Sequence, residues 1–165
     1  ATRTGRFRAA VARAGVPDQI ADYDRLEGGT PGFSVGSVTG EQTFGGTLWQ
    51  NPDAYVKNSS ILYFDKITTP LMIVQGLGDN NVSYIQSEEA FSALQRLGKE
   101  TVLVEYKGED HVEAAWAYEN QVDYIERVLS WFEERLLGQK PSGCSVAADP
   151  GACAAGNAAL RSGGG

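Results

Sequence analysis

The chain has 165 residues, which make one domain or part of one, and 42% of them are hydrophobic, enough for a real core. Its net charge of −7 and isoelectric point of about 4.7 argue against nucleic acid and anionic membrane as partners, because both bind basic surfaces. No apolar run approaches the roughly eighteen residues that a membrane-spanning helix needs. We therefore expect neither nucleic acid nor a membrane as a partner.

The first part of the chain carries weak structural signals. Apolar side chains alternate over residues 7–14, which indicates a short strand closed by a turn at residues 15–18. Residues 18–58 are broken by glycine-rich stretches, and Asn51 followed by Pro52 indicates a helix start within them. We interpret the basic residues near the N-terminus as a solvated face rather than a phosphate site: Arg3, Arg6, Arg8 and Arg13.

The second part alternates between strand and helix patterns. Residues 71–74 and 101–106 are short, apolar and partly β-branched, which is typical of buried strands. Between them, Ser83 and Gln86 have capping-box spacing at the start of a helix that Gly98 ends. This alternation predicts parallel strands in a three-layer α/β architecture. Apolar residues at helical spacing predict a long final helix with one apolar face: Val122, Ile125, Leu129, Phe132 and Leu136.

Residues 138–165 differ in composition from the rest of the chain. Gly, Ala, Ser and Pro dominate there, which predicts a flexible tail after a folded domain at residues 1–137. Cys144 and Cys153 both lie in this tail and could form a disulfide or remain two thiols. A disulfide would indicate an oxidising compartment, secreted or periplasmic, so the compartment stays open.

An acid and a histidine follow the two strands of the second part. Asp79 comes just after the first strand, and His111, the only histidine, follows the second. Catalytic groups collect at the carboxyl ends of parallel strands, and an acid followed by a histidine completes the Ser…Asp…His order of α/β-hydrolases. Asp65 and Asp110 are rival acids. Asp65 precedes the strand, on the wrong side of the sheet, and Asp110 is adjacent to His111, so their side chains would tend to diverge.

The nucleophile lacks a good candidate. Residues 32–36 match the bare Gly-x-Ser-x-Gly pattern around Ser34, but no strand precedes them and no helix follows, as a nucleophile elbow requires. No metal or other cofactor is expected either, since the acids near His111 lack the spacing of a ligand set: Glu109, Asp110 and Glu113.

Several segments together resemble the prolyl oligopeptidase family of serine peptidases. Residues 67–82, 91–99 and 108–111 resemble the family most clearly, and residues 49–55 and 7–12 also fit. The resemblance covers roughly residues 5–137 in the family's order. Three features depart from the family: Gln75 stands where the family usually has His, Val112 where Gly is common, and the tail has no counterpart.

The resemblance implies an α/β-hydrolase catalytic domain. The chain would be its C-terminal portion, with parallel strands flanked by helices and the strands of the nucleophile elbow missing. Asp79 would be the triad acid and His111 the triad base. In the dipeptidyl-peptidase-like branch, the position of Asn81 holds an asparagine that binds a substrate carbonyl, and Tyr23 lies near an aromatic residue of the proline pocket.

The resemblance therefore implies a serine peptidase whose substrate is a peptide. The serine would lie before Ala1, so the missing N-terminal part of the same protein would be a partner and the chain alone would be inactive. Two alternatives stay open. One is a non-catalytic binding or assembly module that keeps the hydrolase framework, and the other is a fragment of an esterase-type α/β-hydrolase.

Overall fold

The computed structural model describes residues 1–23, 25–27, 30–31, 41–138 and 158–162. Its main sheet contains four strands in the order β1 (Ala10–Arg13), β4 (Leu71–Gly76), β5 (Thr101–Tyr106) and β6 (Ala158–Ser162). The first three of these run parallel, and β6 is antiparallel to β5. Two short strands, β2 (Leu26–Glu27) and β3 (Thr30–Pro31), form a separate antiparallel pair.

Helices occupy most of the remaining described chain. They are α1 (Gln19–Tyr23), α2 (Pro52–Asn58), α3 (Tyr84–Arg96) and α4 (Tyr118–Phe132), with a helical turn at residues 41–44. Two short 3-10 helices span Ser60–Lys66 and Glu113–Ala115, and a π-helical turn, Glu133–Leu137, continues α4. The start of α2 at Pro52, with Asn51 as its N-cap, agrees with the sequence pattern.

Both central strands are buried along their whole length. Successive side chains of a strand point to opposite faces, so Met72 and Val104 pack in the cluster that contains Trp131 of α4. Ile73 and Leu103 pack on the other face, in a cluster with side chains of α3. Because helices cover both faces, most residues of the two strands are apolar, and apolar and polar residues do not alternate along them. The predicted parallel sheet flanked by helices is confirmed.

The prediction that the apolar side chains of the last helix form its buried face is wrong. Ile125 and Leu129 are each 55% exposed, and Leu136 is 45% exposed. The helix is instead buried along a largely polar face: Asn120, Asp123, Arg127, Ser130 and Trp131.

A buried hydrogen-bond network explains this orientation of α4. Tyr106 at the end of β5 donates its hydroxyl to Asp123 at 2.7 Å, and Arg127 binds the same carboxylate through two nitrogens at 2.7 and 3.1 Å. Burial and the hydrogen bond to Asp123 raise the pKa of Tyr106. Paired charges can be buried where apolar side chains would otherwise be expected, and periodicity of apolar residues does not reveal such pairing.

Two further sequence patterns take a different form in the structure. Ser83 does cap α3, accepting from the Ile85 N–H, but the Gln86 side chain accepts from the Asp18 N–H, so it is engaged away from the predicted capping box. Residues 158–162 of the expected flexible tail pair with β5 as β6. The rest of that tail after Gly138, including Cys144 and Cys153, lies outside the described residues.

Candidate active site

Asp79 lies in the turn that follows β4. Its side chain is fully buried, and its Oδ1 accepts hydrogen bonds from the N–H groups of Asn81 and Val82, both at 2.8 Å. An aspartate in such a turn is held by its own neighbours along the chain. This arrangement fixes the carboxylate and directs Oδ2 towards the next loop.

His111 contacts Asp79 from that next loop. Its Nδ1 is 2.9 Å from Asp79 Oδ2, and 31% of its side chain is exposed. A carboxylate only accepts hydrogen bonds, so Nδ1 donates the proton and Nε2 keeps the lone pair. One ring nitrogen is therefore held by an acid while the other can take up a proton, which is the arrangement of a general base.

Neither rival acid reaches the imidazole ring. Asp65 ends up before β4, where its backbone carbonyl accepts from Lys99 at 2.7 Å, at the other end of the strands. The carboxylate of Asp110 binds the backbone N–H of His111 at 2.6 Å rather than the ring. Of the three candidate acids, Asp79 alone hydrogen-bonds to the imidazole ring of His111 among the described residues.

The loops of Asp79 and His111 touch through their backbones. Gly78 donates its N–H to the Glu109 carbonyl at 2.8 Å, and Leu77 donates to the Tyr106 carbonyl at 2.9 Å. A Cβ at Gly76 would overlap the Glu109 carbonyl group. Glycine is needed at position 76 because any side chain would push the two loops apart.

Gln75 supports the acid from inside the sheet. Its side chain is fully buried, and its Nε2 lies 3.2 Å from Asp79 Oδ2, 3.0 Å from the Gly76 carbonyl and 3.3 Å from the Val82 carbonyl. Its Oε1 accepts from the Ser87 hydroxyl at 2.9 Å. Gln75 therefore connects β4, the turn of Asp79 and α3. Sequence reasoning missed this role, although a polar residue at the end of an apolar strand was a signal for it.

Glu109 connects the loop of His111 to α4. It is 8% exposed, and its Oε1 accepts from the Ala117 N–H at 3.1 Å and from Asn120 Nδ2. A carboxylate at a helix N-terminus satisfies backbone N–H groups and complements the helix dipole. Sequence reasoning treated Glu109 only as a possible metal ligand, so this role was also missed.

Asp110 and Arg13 bind the backbone around His111. Asp110 Oδ1 accepts from the N–H groups of His111 at 2.6 Å and Asn80 at 3.2 Å. These two bonds hold the pKa of Asp110 below its ordinary value, because they favour the charged carboxylate. Arg13 Nη1 donates to the His111 carbonyl at 2.5 Å, and its Nη2 lies 3.0 Å from Glu113 Oε2. Arg13 thus lies at the site rather than on a purely solvated face.

Asn81 is exposed beside the acid. Its backbone N–H binds Asp79, and its backbone carbonyl accepts from Arg25 Nη2 at 2.5 Å. A cleft of about 560 Å³ opens on this side of the turn, and its walls include Ala21, Arg25 and Tyr84. Asp79 lines this cleft, whereas Asn81 and His111 are not among its described lining residues, so the cleft meets the Asp79–His111 pair on the side of the acid.

Tyr23 lies in an aromatic cluster. Its ring meets Tyr55 and Trp49 edge-on, with centroids 5.2 and 5.5 Å away. Its hydroxyl donates to Glu41 at 2.5 Å, and this bond together with burial raises the pKa of Tyr23 to about 12. None of the described contacts joins Tyr23 to the Asp79–His111 pair.

The other kinds of site considered from the sequence, a serine nucleophile within the chain and a metal site, find no support among the described residues. Ser34 lies outside the described residues, and no serine within the described ranges hydrogen-bonds to His111. In the part of the chain that the structure describes, His, Cys, Asp and Glu side chains form no group of three that could hold a metal ion. None of the helices described there is both long and apolar enough to cross a bilayer.

Known proteins share this fold. An acylaminoacyl peptidase of Pyrococcus horikoshii superposes with a TM-score of 0.71 at 20% identity, covering 87% of this chain and 22% of its own. A puromycin-hydrolyzing peptidase of Mycobacterium tuberculosis gives a TM-score of 0.69 at 24% identity, with coverages of 87% and 20%. These likenesses show the fold, a parallel sheet flanked by helices.

Sequence comparison identifies the family. The uncharacterized peptidase YuxL of Bacillus subtilis (strain 168) is 24% identical over 135 residues, which are 81% of this chain and 20% of that protein. The chain thus spans about a fifth of the length of each of these relatives. A sequence model of the prolyl oligopeptidase family matches residues 1–139. Because that match covers most of the chain, the chain belongs to the prolyl oligopeptidase family.

Proposed function

We propose that Asp79 and His111 are the acid and base of a Ser-His-Asp triad in a serine peptidase. The 2.9 Å contact between His111 Nδ1 and Asp79 Oδ2 carries the proposal. It lies at the carboxyl ends of parallel strands, where such groups work in open α/β sheets. Membership of a peptidase family makes peptide hydrolysis the expected reaction.

The geometry suits each step of acyl transfer. His111 Nε2 takes the serine proton as the hydroxyl attacks the scissile carbonyl, and then gives that proton to the leaving amine. Asp79 keeps the proton of the neutral ring on Nδ1 and stabilises the imidazolium once both nitrogens are protonated. In the second half of the reaction, His111 activates water in the same way, which releases the acid product and restores the serine.

The serine itself is proposed to come from outside this chain. The chain spans about a fifth of its relatives, and β1 is the edge strand of the described sheet. An edge strand has unpaired backbone groups that a further strand can bind. We propose that the missing N-terminal part of the protein pairs there and supplies the serine and the oxyanion hole. The chain is then the C-terminal portion of the catalytic domain and is inactive alone.

The substrate is proposed to be a peptide that lies across Asn81. The Asn81 side chain is exposed one turn from the acid and can donate to a substrate carbonyl. The resemblance to the family implies that the Tyr23 ring lies near the proline pocket, and its hydroxyl is engaged by Glu41. The net charge of −7 makes nucleic acid and anionic membrane unsuitable as partners.

Hydrolysis by the longer protein that contains this chain tests the proposal. Peptide p-nitroanilides and a p-nitrophenyl ester should both be cleaved, with the peptide preferred over the ester if the protein is a peptidase. His111→Ala should lower kcat by about 10⁴-fold or more, and the exposed Asp65→Ala control should leave it unchanged. Wild-type activity in the His111→Ala protein would overturn the triad. Cleavage of the ester alone would favour an esterase.

A further inference from the structure

His111 is held by both of its backbone groups. Its N–H donates to Asp110 Oδ1 at 2.6 Å, and its carbonyl accepts from Arg13 Nη1 at 2.5 Å. Loop residues usually keep one or both backbone groups in contact with water. Fixing both restricts the peptide planes on either side of the residue, and with them the direction in which its side chain leaves the backbone.

Asp110 also reaches the loop of the acid. The oxygen that binds the His111 N–H accepts the Asn80 N–H at 3.2 Å, and Asn80 directly follows Asp79. One carboxylate oxygen therefore joins the backbone beside the acid to the backbone of the base. The carbonyl of Asp110 is fixed in turn by the buried Trp116, whose Nε1 donates to it at 2.6 Å.

Arg13 reaches the same loop from a third strand. It is the last residue of β1, whereas the loops of Asp79 and His111 follow β4 and β5. Its two terminal nitrogens are divided between the His111 carbonyl and Glu113, 3.0 Å away. A guanidinium offers donors in a fixed fork, which lets one side chain hold two acceptors at a defined separation.

We propose that Asp110 and Arg13 are positioning residues for His111, holding its N–H and its carbonyl so that the imidazole stays on Asp79. This inference rests on the proposed triad. Neither side chain touches the ring, so each acts through the backbone. Beyond stabilising the loop, the Asp110 acceptor and the Arg13 donor maintain the hydrogen bond between His111 Nδ1 and Asp79.

The single histidine makes the test direct. Long-range ¹H–¹⁵N NMR of the chain, at a pH where the imidazole is neutral, reports how much of the ring carries its proton on Nδ1. Wild type should show mainly the Nδ1–H form, which the contact with Asp79 selects. Asp110→Ala should shift the ring towards the Nε2–H form. Asp110→Asn should retain the wild-type population, since its amide oxygen still accepts both N–H groups.

A second pair of variants tests the other side of His111. Arg13→Met keeps most of the stem but removes the donors, and should cause the same shift as Asp110→Ala, while Arg13→Lys should restore part of the Nδ1–H form. Two exposed residues at the opposite end of the strands serve as controls and should leave the ring unchanged: Asp65→Ala and Arg8→Met. The amide spectrum of each variant verifies its fold.

The outcomes separate this inference from the proposed function. Wild-type tautomer populations in folded Asp110→Ala or Arg13→Met chains would overturn the inference and leave the triad proposal intact. An equal shift in Asp110→Asn and Asp110→Ala would also overturn it, because the acceptor would then be irrelevant. If either Asp110→Ala or Arg13→Met does not fold, the tautomer populations of the variants at the other position test the inference. The triad proposal is tested separately, because wild-type hydrolysis by the His111→Ala protein would overturn it and the NMR measurement involves no hydrolysis.

Discussion

Gln75 Nε2 lies 3.2 Å from Asp79 Oδ2, the same carboxylate oxygen that contacts His111. The acid is therefore bound by a buried amide within the sheet as well as by the histidine. The Gln75 amide is a neutral donor, so its charge does not change with pH. Asp79 is therefore held in part by a side chain of β4, four residues before it in the sequence.

Gln75→Leu should destabilise the chain. The substitution removes donors to Asp79 and to two carbonyls, and it leaves the Ser87 hydroxyl without its acceptor. Leaving buried polar groups unsatisfied costs about 1–3 kcal/mol. Urea unfolding should show that loss, whereas the exposed Gln42→Leu control should change the free energy of unfolding by less than about 0.5 kcal/mol. Equal stability of the two variants would argue against the role of Gln75.

Gly76→Ala should separate the loops of Asp79 and His111. Its Cβ would overlap the Glu109 carbonyl, and the crowding is with backbone, which cannot rotate away. Overpacking of this kind costs about 1–3 kcal/mol. Gly15→Ala is the matched control, because a Cβ at Gly15 meets no atom within 4 Å. Thermal unfolding measures the stability of both variants. A Gly76→Ala chain as stable as Gly15→Ala would show that the two loops leave room for a side chain at position 76.

Asp123→Ala should be among the most destabilising single changes. It leaves Arg127, which is 1% exposed, with a buried charge and no carboxylate partner. Removing one partner of a buried ion pair costs about 3–5 kcal/mol. Glu126→Ala on the exposed side of α4 is the control. Replacing both residues, with Asp123→Leu and Arg127→Met, should recover much of the loss, and urea unfolding that ranks the double variant below Asp123→Ala would contradict the network.

The free energy of unfolding should fall at alkaline pH because of Tyr23. Its pKa is raised from 10.0 to about 12, first by the hydrogen bond to Glu41. The folded state therefore holds this proton more tightly than the unfolded state, so the contribution is complete below about pH 10 and is lost as the pH rises towards 12. Absorbance of tyrosinate should show this titration, and Glu41→Gln should move it to lower pH. A titration unaffected by Glu41→Gln would exclude the proposed cause.

The sequence predicts the meeting of Asp79 and His111 because that contact follows from order alone. Once β4 and β5 are parallel neighbours, their carboxyl ends lie at one edge of the sheet. The orientation of α4 could not be predicted in this way. Its buried face depends on pairing between Asp123, Arg127 and Tyr106, and the two charged residues look solvent-exposed when the sequence is considered alone.

The supporting side chains were the least predictable part of the site. Gln75 binds Asp79 only four positions away, but Asp110 and Arg13 bind residues distant in sequence, 30 positions for Asp110 and Asn80 and 98 for Arg13 and His111. Local patterns describe neighbours within a turn or a strand, whereas these hydrogen bonds exist only after the strands have paired. Gln86 illustrates the same limit, since its side chain binds the backbone of Asp18, 68 positions earlier, rather than forming the local capping box.

Labelling with a fluorophosphonate locates the nucleophile, because the reagent marks an activated serine by forming a covalent adduct. The longer protein should be labelled on one serine outside residues 1–165, and labelling should be lost in its His111→Ala and Asp79→Ala variants. The 165-residue chain alone should remain unlabelled. An adduct on a serine of this chain, such as Ser34, would contradict the claim that Asp79 and His111 serve a nucleophile supplied from elsewhere.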